Sequence, residues 1–338
     1  MRLRWQGIGK GLPRGMARGE QIAIVGAGLM GHALALDFAL RSQDVTITDA
    51  EPERLANLEE RLRGDLQQFL QAGMLDAATA GAVIERIRPD AVIGRAVRDA
   101  TYVVEAITEN LAAKQALFRQ LEALAPVDAI FASNTSGLRA TDMADQLDHP
   151  ERLIVAHYFN PPYLLPPVEI VPGERTSPET LASTCALLQR IGKRPVVLQR
   201  EIPGFIANRL QAALLREAIH LVSSGVCRVE DVDTIMSGAV GRRLTTMGPF
   251  QVLDFAGVDV WAQIGAYLFA DLDCSNDAAA HLRDLAASGR TGVKVGIGIY
   301  PWSPEAIARM TAARDRELMH CLQGDAATDG AAKGADPC

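Results

Sequence analysis

Short apolar runs alternate with longer segments whose apolar residues recur at helical spacing over the first two-thirds of the chain. The short runs are rich in Val, Ile and Thr, which favours strands. The predicted strands are 22–25, 43–50, 100–107, 129–136, 153–160, 168–171 and 194–199. Alternation of strands and helices predicts an α/β fold with a doubly wound, mostly parallel sheet.

Two segments depart from this alternation. Residues 51–85 form a long amphipathic stretch with a break at Gly73, which predicts a helical hairpin inserted after the second strand. From about Pro203 the strand signal disappears, and segment 204–225 is apolar on more than one face. Such helices are usually buried between domains or subunits. We therefore expect an all-α C-terminal domain that carries a homodimer interface.

These patterns predict the domain boundaries. The termini are small, polar or Gly/Arg-rich, so each is expected to be disordered. The predicted parts are a leader at 1–19, an α/β domain at 20–201, a helical domain at 202–325 and a tail at 326–338.

Composition excludes several classes of protein. The net charge of −7 argues against a general nucleic-acid binder. The five cysteines are scattered without a CxxC pair, which argues against a disulfide framework or a zinc site and favours the cytoplasm. No apolar run is long enough to span a bilayer, so no membrane partner is expected.

The segment GAGLMG predicts a dinucleotide site. Gly26, Gly28 and Gly31 stand in G-x-G-x-x-G spacing between a predicted strand and a predicted helix. Leu29 and Met30 complete the loop at the helix N-terminus, which favours a pyrophosphate. Asp49 ends the next strand, where a carboxylate accepts from ribose hydroxyls and repels a 2′-phosphate. The cofactor is therefore predicted to be NAD in a Rossmann-type domain, and no metal site is predicted.

The segment AHYFNPPYLLPPVEIV places a histidine and a glutamate in two apolar strands joined by a proline-rich turn. A stiff turn of this kind can bring His157 and Glu169 together, although they are 12 residues apart. Imidazole suits proton removal near neutral pH, and a carboxylate on its other nitrogen fixes the tautomer. Taken alone, each residue is better explained by a structural role in the core.

Several separated segments together resemble the L-3-hydroxyacyl-CoA dehydrogenase family. They are VVEAITENLAAKQALF, FASNTSGL, AHYFNPP with VEIV, IPGFIANRL and MGPFQVLDFAGVD, in the family's order between residues 20 and 320. The resemblance implies NAD-linked oxidation of a secondary hydroxyl to a ketone. It implies His157 as general base, Glu169 as its orienting partner, and Ser136 and Asn208 as ligands of the substrate oxygen. It also implies a set of cofactor-site residues: Glu105, Ala106, Glu109, Lys114, Asn134, Asn160 and Lys294.

The hairpin departs from the acyl-CoA enzymes, which carry lysines there that meet the coenzyme A phosphates. Segment 54–76 here has three arginines, several acids and no lysine. A nucleotide diphosphate needs several cations, so the hairpin suits it poorly. The segments FNPPYLLPPVEIVPGE and NRLQAAL are more similar to the lambda-crystallin or L-gulonate 3-dehydrogenase branch, which acts on free hydroxy acids. Arg243, with Arg242 beside it, is either a substrate carboxylate ligand or a solvated surface residue.

Three functional hypotheses follow. The first is an NAD-dependent dehydrogenase that oxidises a small hydroxy acid with His157 as base. The second keeps the enzyme but makes the substrate a short-chain L-3-hydroxyacyl-CoA. The third is a non-catalytic NAD-binding structural protein, as lambda-crystallin is; the combination of Ser136, His157, Glu169 and Asn208 argues against it.

Overall fold

The computed structural model describes residues 20–332, with side chains to residue 325. The predicted leader at 1–19 and residues 333–338 lie outside the described residues. The chain divides into two compact units. One ends at Ile206 and resumes at Asp315, and the other is Ala207–Arg314.

The first unit is built on one eight-stranded sheet. In chain order its strands are β1 Ile22–Val25, β2 Val45–Thr48, β3 Ile87–Pro89, β4 Tyr102–Glu105, β5 Ile130–Ser133, β6 Leu153–Tyr158, β7 Pro167–Pro172 and β8 Arg194–Val197. The spatial order is β3-β2-β1-β4-β5-β6-β7-β8. Every neighbouring pair is parallel except β6 and β7, which are antiparallel. The predicted mostly parallel sheet is confirmed.

The helices of the first unit connect and cover these strands. They are α1 Leu29–Leu40, α2 Pro52–Ala56, α3 Leu58–Gln71, α4 Ala77–Glu85, α5 Ile93–Val97, α6 Leu111–Leu124, α7 Ala140–Met143 and α8 Pro178–Arg190. The predicted hairpin is confirmed as α2, α3 and α4, and its break at Gly73 has a positive φ of 65°. Three elements escaped prediction, β3, α5 and α7, because runs of three to five residues carry too little periodicity.

The second unit is mainly helical, as predicted, and its loop before the last helix carries two isolated β-bridges. It contains α9 Ala207–Ser223, α10 Val229–Ile235, a π-helical turn Met236–Val240, α11 Gly241–Leu244, α12 Pro249–Ala256, α13 Val258–Asp271 and α14 Asp277–Ala287. The last helix, α15 Pro304–Ala332, begins in this unit and continues into the first.

The core lies on both faces of the sheet. Alternate residues of β1 point to opposite sides, Ile22 and Ile24 into one apolar cluster and Ala23 and Val25 into the other. The hairpin covers the first cluster with an apolar stripe along α3: Leu58, Leu62, Leu66 and Phe69. Met319 and Leu322 of α15 join the same cluster. The end of this helix therefore belongs to the sheet unit, whereas the sequence placed it in a helical domain at 202–325.

By length and hydropathy, no single helix within residues 20–332 is long and apolar enough to cross a bilayer. The pair α12 and α13 passes the test only when counted together, and the two helices are bent by 109°.

A buried ion pair ties α1 to the proline-rich turn. The Lys193 ammonium lies 2.7 Å from Asp37 Oδ2 and donates to the Pro162 carbonyl at 2.6 Å. Arg41 donates to the other Asp37 oxygen at 2.9 Å. Both Lys193 and Asp37 are fully enclosed. Burial lowers the pKa of Lys193 to about 8, and the Asp37 charge opposes that shift.

We expect Lys193→Met to lower the free energy of unfolding at pH 7 by about 3–5 kcal/mol, because it leaves the Asp37 charge buried with one partner fewer. The double variant Asp37→Asn with Lys193→Met is expected to recover part of that loss. Chemical denaturation measures both.

The same pair predicts a pH dependence of stability. The folded-state pKa of about 8 lies below the ordinary Lys value of 10.5, so the unfolded chain binds more protons between these limits. The contribution of Lys193 to the unfolding free energy therefore rises with pH from about 8 to 10.5 and is lost as pH falls through 8. Denaturation across this range checks the rise, which the Lys193→Met variant should lack.

Candidate active site

The glycine loop, residues 26–31, joins β1 to α1 at the centre of the sheet. Gly26 has a φ of +105°, and a Cβ there would lie 2.5 Å from the Ala106 carbonyl oxygen. A Cβ on Gly31 would lie 1.7 Å from the Gly26 carbonyl oxygen. At Gly28 the nearest atom would be 3.8 Å away. The first and third glycines are therefore required by the protein's own backbone, whereas the second leaves open space.

These differences predict distinct effects of alanine at two glycines. Gly31→Ala is expected to prevent correct folding or to lower stability strongly, since its Cβ meets backbone at 1.7 Å. Gly28→Ala is expected to fold normally and to bind NADH weakly, because its Cβ fills the space that a pyrophosphate needs. Thermal unfolding and NADH fluorescence titration separate the two effects. Wild-type NADH affinity in Gly28→Ala would contradict the assignment.

Asp49 stands beside the loop at the end of β2. Its Oδ2 accepts from the Ala27 amide at 2.6 Å, and its Oδ1 accepts from the Glu51 amide at 2.8 Å. A cavity of about 460 Å³ opens next to it, with Gly26, Ile93 and Ile107 in its walls. Partly apolar walls beside the Asp49 carboxylate suit an adenine and its ribose. Leu29 and Met30 begin α1, whose N-cap Gly28 has no side-chain cap, so the first amides can receive the pyrophosphate.

A buried carboxylate cluster lies under the ends of β4 and β5. Glu105 accepts from the Lys114 ammonium at 2.5 Å, from the Ser133 hydroxyl at 2.5 Å and from the Ile107 amide at 2.7 Å. Lys114 also lies 3.4 Å from Glu109. Glu105 and Lys114 are fully buried, so they shape the site from beneath. A direct contact of either with the cofactor remains a prediction.

Glu109 extends this cluster towards the surface. Its Oε1 accepts from the Thr135 hydroxyl at 2.5 Å and from the Ser136 amide at 3.0 Å. Asn134 Oδ1 accepts from the Tyr158 amide at 2.9 Å, which links the end of β5 to β6. The cluster therefore positions Ser136 through its backbone just after β5, in a segment that Asn134 links to the end of β6.

His157 and Glu169 are directly opposite each other in the antiparallel pair of β6 and β7. Nδ1 of His157 lies 2.7 Å from Glu169 Oε2, and Glu169 Oε1 accepts from the Ile206 amide at 2.7 Å. Because a carboxylate only accepts, Nδ1 carries the proton and Nε2 is the nitrogen left to act as a base. Phe159 and Phe205 pack against the imidazole with ring centroids at 5.0 and 5.6 Å.

Phe205 is a feature that the sequence did not single out. Its φ is +51°, which is unusual for a residue with a bulky side chain, and it follows Gly204 with φ +74°. This backbone turns the Ile206 amide towards Glu169 and the Phe205 ring towards His157. Ser133 and Thr135 were also missed, although hydroxyls at the carboxyl end of the predicted strand 129–136 gave a usable signal.

The other predicted residues fall in different places. Asn160 is exposed at the start of the proline-rich turn. Four of them belong to the helical unit: Asn208, Arg242, Arg243 and Lys294. The two arginines lie in the last turn of α11, and Lys294 is exposed in the loop before α15. Their roles towards the site remain predictions. Within the side chains that the structure describes, no group of three or more His, Cys, Asp and Glu residues is placed to hold a metal.

A doubly wound sheet with a glycine loop, an acid at the end of β2 and an imidazole–carboxylate pair is the arrangement expected of an NAD-linked dehydrogenase. The sequence matches "3-hydroxyacyl-CoA dehydrogenase, NAD binding domain" over residues 21–202 and "3-hydroxyacyl-CoA dehydrogenase, C-terminal domain" over residues 204–302. The chain belongs to the 3-hydroxyacyl-CoA dehydrogenase family and is an NAD-dependent oxidoreductase acting on CH–OH groups.

Similar proteins indicate the branch of the family to which the chain belongs. The chain is 36% identical over 303 residues to 5-formyl-3-hydroxy-2-methylpyridine 4-carboxylate 5-dehydrogenase of Mesorhizobium japonicum, covering 89% of this chain and 96% of that one. It is 38% identical over 238 residues to L-carnitine dehydrogenase of Streptomyces griseus, covering 70% of each. The crystal structure of the pyridine carboxylate enzyme, described as an NAD+ dependent dismutase, superposes with a TM-score of 0.83 at 34% identity, over 90% of this chain and 99% of that one. The hydroxy-acid branch predicted from the sequence is confirmed.

Proposed function

We propose that His157 is the general base of the oxidation and that Glu169 orients it. The observation that carries this proposal is the 2.7 Å contact between His157 Nδ1 and Glu169 Oε2, which leaves Nε2 to take the hydroxyl proton. NAD, when bound, supplies the nicotinamide carbon that accepts the hydride. The carbinol carbon loses that hydride, its oxygen loses the proton to Nε2, and a carbonyl remains. The Glu169 charge stabilises the imidazolium that forms.

Ser136 and Asn208 are proposed to hold the substrate oxygen. Ser136 follows β5, and its amide is fixed by Glu109. Asn208 lies in the first turn of α9, two residues after the Ile206 amide that binds Glu169. Hydrogen bonds that strengthen as negative charge develops on the oxygen lower the barrier. Two facts support the proposal. Both side chains can donate a hydrogen bond to an oxygen, and both lie in segments whose backbone amides bind Glu109 or Glu169.

The substrate is proposed to be a small free acid rather than a coenzyme A ester. The hairpin has no lysine, and its three arginines already have partners. Arg54 lies 2.7 Å from Glu51 Oε1, and Arg63 lies 2.6 Å from Glu59 Oε1. Arg61 donates to the Ala27 carbonyl at 2.7 Å. A coenzyme A diphosphate therefore has no unengaged cation on this hairpin.

A free carboxylate needs a cation elsewhere, and we propose Arg243 for that role, with Arg242 as the alternative. Both lie in the last turn of α11. The two similar enzymes are named for substrates that carry a carboxylate, L-carnitine and a pyridine carboxylate. The pyridine carboxylate in that enzyme's name also carries a formyl group. An aldehyde can be oxidised by the same hydride transfer, because its hydrate is a carbinol whose hydroxyl proton can go to His157.

The test is NADH formation at 340 nm over a panel of small alcohols and aldehydes, each present with and without a carboxylate. The proposal predicts turnover only of members with a carboxylate. It also predicts that Arg243→Met raises KM for the best acid by 10-fold or more, whereas Arg314→Met, a substitution elsewhere in the helical unit, does not. Equal turnover of the neutral analogues would refute the free-acid assignment and leave the dehydrogenase assignment standing.

A homodimer through the helical unit is also proposed. Within 207–314, helices α9 to α14 bury no residue in the single chain. Phe250 and Phe255 of α12 are 81% and 83% exposed, and Tyr267 and Phe269 of α13 are 67% and 69% exposed. An apolar groove of about 570 Å³ between α9, α10 and α14 lies in the same unit. Exposed apolar area of this extent supports burial against a second copy.

Sedimentation velocity tests the dimer. The wild type is expected at twice the chain mass of 36.3 kDa. Phe255→Glu is expected to shift it towards the monomer, and Val127→Glu, at an exposed apolar residue of the sheet unit, is not. A monomeric wild type at micromolar concentration would exclude the interface. The cytoplasmic location remains a proposal, which cell fractionation tests.

A further inference from the structure

Arg61 reaches from the hairpin to the glycine loop. Its Nη1 donates to the Ala27 carbonyl oxygen at 2.7 Å, and its Nη2 donates to the Gly28 carbonyl oxygen at 2.8 Å. Arg61 is next to Leu62 in the apolar stripe by which α3 packs on the core. The guanidinium is therefore held against the loop by the packing of the whole helix rather than by a flexible surface contact.

A second pair of side chains fixes the guanidinium. Nη2 of Arg61 lies 2.5 Å from His32 Nδ1, and His32 Nε2 lies 3.1 Å from Asp65 Oδ2. His32 Nδ1 also lies 2.9 Å from the Gly28 carbonyl oxygen, so the imidazole and the guanidinium meet at the same carbonyl, while His32 Nε2 faces Asp65. Asp65 is one helical turn after Arg61 on α3. His32 on α1 thus connects two residues of the hairpin to the cofactor helix.

The two carbonyls that Arg61 holds determine where the neighbouring amides point. In a planar trans peptide the N–H points opposite to the C=O. Fixing the Ala27 carbonyl therefore fixes the Gly28 amide, and fixing the Gly28 carbonyl fixes the Leu29 amide. These are amides at the N-terminus of α1, the position that receives a pyrophosphate. Asp49 accepts from the preceding amide, that of Ala27, at 2.6 Å.

We propose that Arg61 is a positioning residue of the cofactor site, which holds the glycine loop in the conformation that binds the pyrophosphate of NAD. The glycine backbone is flexible, and α1 has no side-chain cap to order its first turn. The bidentate contact provides that order before the cofactor arrives. Burial lowers the pKa of Arg61, yet a guanidinium remains protonated, so its positive charge also favours the phosphates.

The test compares Arg61→Met, Arg61→Lys and the control Arg63→Met. Arg63 is on the same helix, is exposed, and pairs with Glu59 of that helix. NADH affinity is measured by fluorescence titration, and kcat is measured at saturating NAD. The proposal predicts a Kd for NADH raised 10- to 100-fold in Arg61→Met, an intermediate Kd in Arg61→Lys, and a wild-type Kd in Arg63→Met. It also predicts that kcat stays within about threefold of wild type in all three.

Two outcomes would overturn the proposal. One is wild-type affinity for NADH in Arg61→Met. The other is a fall in kcat and unfolding temperature in Arg61→Met with no change in Kd, which would mark a purely structural residue. The NADH affinity, which decides between these outcomes, is measured without substrate and so does not depend on whether the substrate is a free acid.

Discussion

His157→Ala is expected to lower kcat roughly 100- to 10,000-fold, the usual contribution of a positioned general base. The variant loses Nε2, the nitrogen that Glu169 leaves to accept the proton. NADH affinity is expected to stay near wild type, since the glycine loop and Asp49 lie on other strands. Stopped-flow NADH formation and fluorescence titration measure the two quantities.

The matched control is His149→Ala. His149 is half exposed, lies shortly before β6, and its imidazole pairs with Glu151. Its loss should leave kcat unchanged. Turnover of His157→Ala within threefold of wild type would show that another group removes the proton.

Glu169→Gln is expected to lower kcat by about as much as His157→Ala does. Glu169 accepts from His157 Nδ1 with one oxygen and from the Ile206 amide with the other. A glutamine has one carbonyl oxygen, so its NH₂ group must face one of those donors. The imidazole then loses either its orientation or its partner, and in both cases the imidazolium loses the stabilising charge. The substitution is nearly isosteric, so the fold is expected to survive.

Glu174→Gln, at an exposed residue after β7, controls for the loss of one negative charge. It should retain wild-type kcat. If Glu169→Gln turned over as the wild type does, the carboxylate would have no role in orienting His157.

The sequence predicted the parts of the fold and site that depend on local pattern. The strand, glycine loop, helix and following Asp49 stand within 30 residues of one another, and their spacing encodes the dinucleotide site. The proline-rich turn between two apolar strands likewise predicted the pairing of His157 with Glu169. The antiparallel register of β6 and β7 confirms that pairing.

Contacts between distant residues had no such signal. Arg61 is 33 residues from Gly28, and Lys193 is 31 residues from Pro162. Each was one charged residue among many in an amphipathic or polar segment, and only the packing of the helices and strands selects its partner. The extension of α15 onto the sheet unit escaped prediction for the same reason, since an apolar pair such as Met319 and Leu322 does not encode which core it joins.

The most direct test of the account compares kcat/KM for the best free acid of the panel with kcat/KM for the coenzyme A thioester of the same acid, with NAD saturating. The two substrates carry the same carbinol, so they differ only in the group that the hairpin and the arginines must recognise. The account predicts that the free acid is favoured at least 100-fold. A thioester that reacts equally well or better would contradict it.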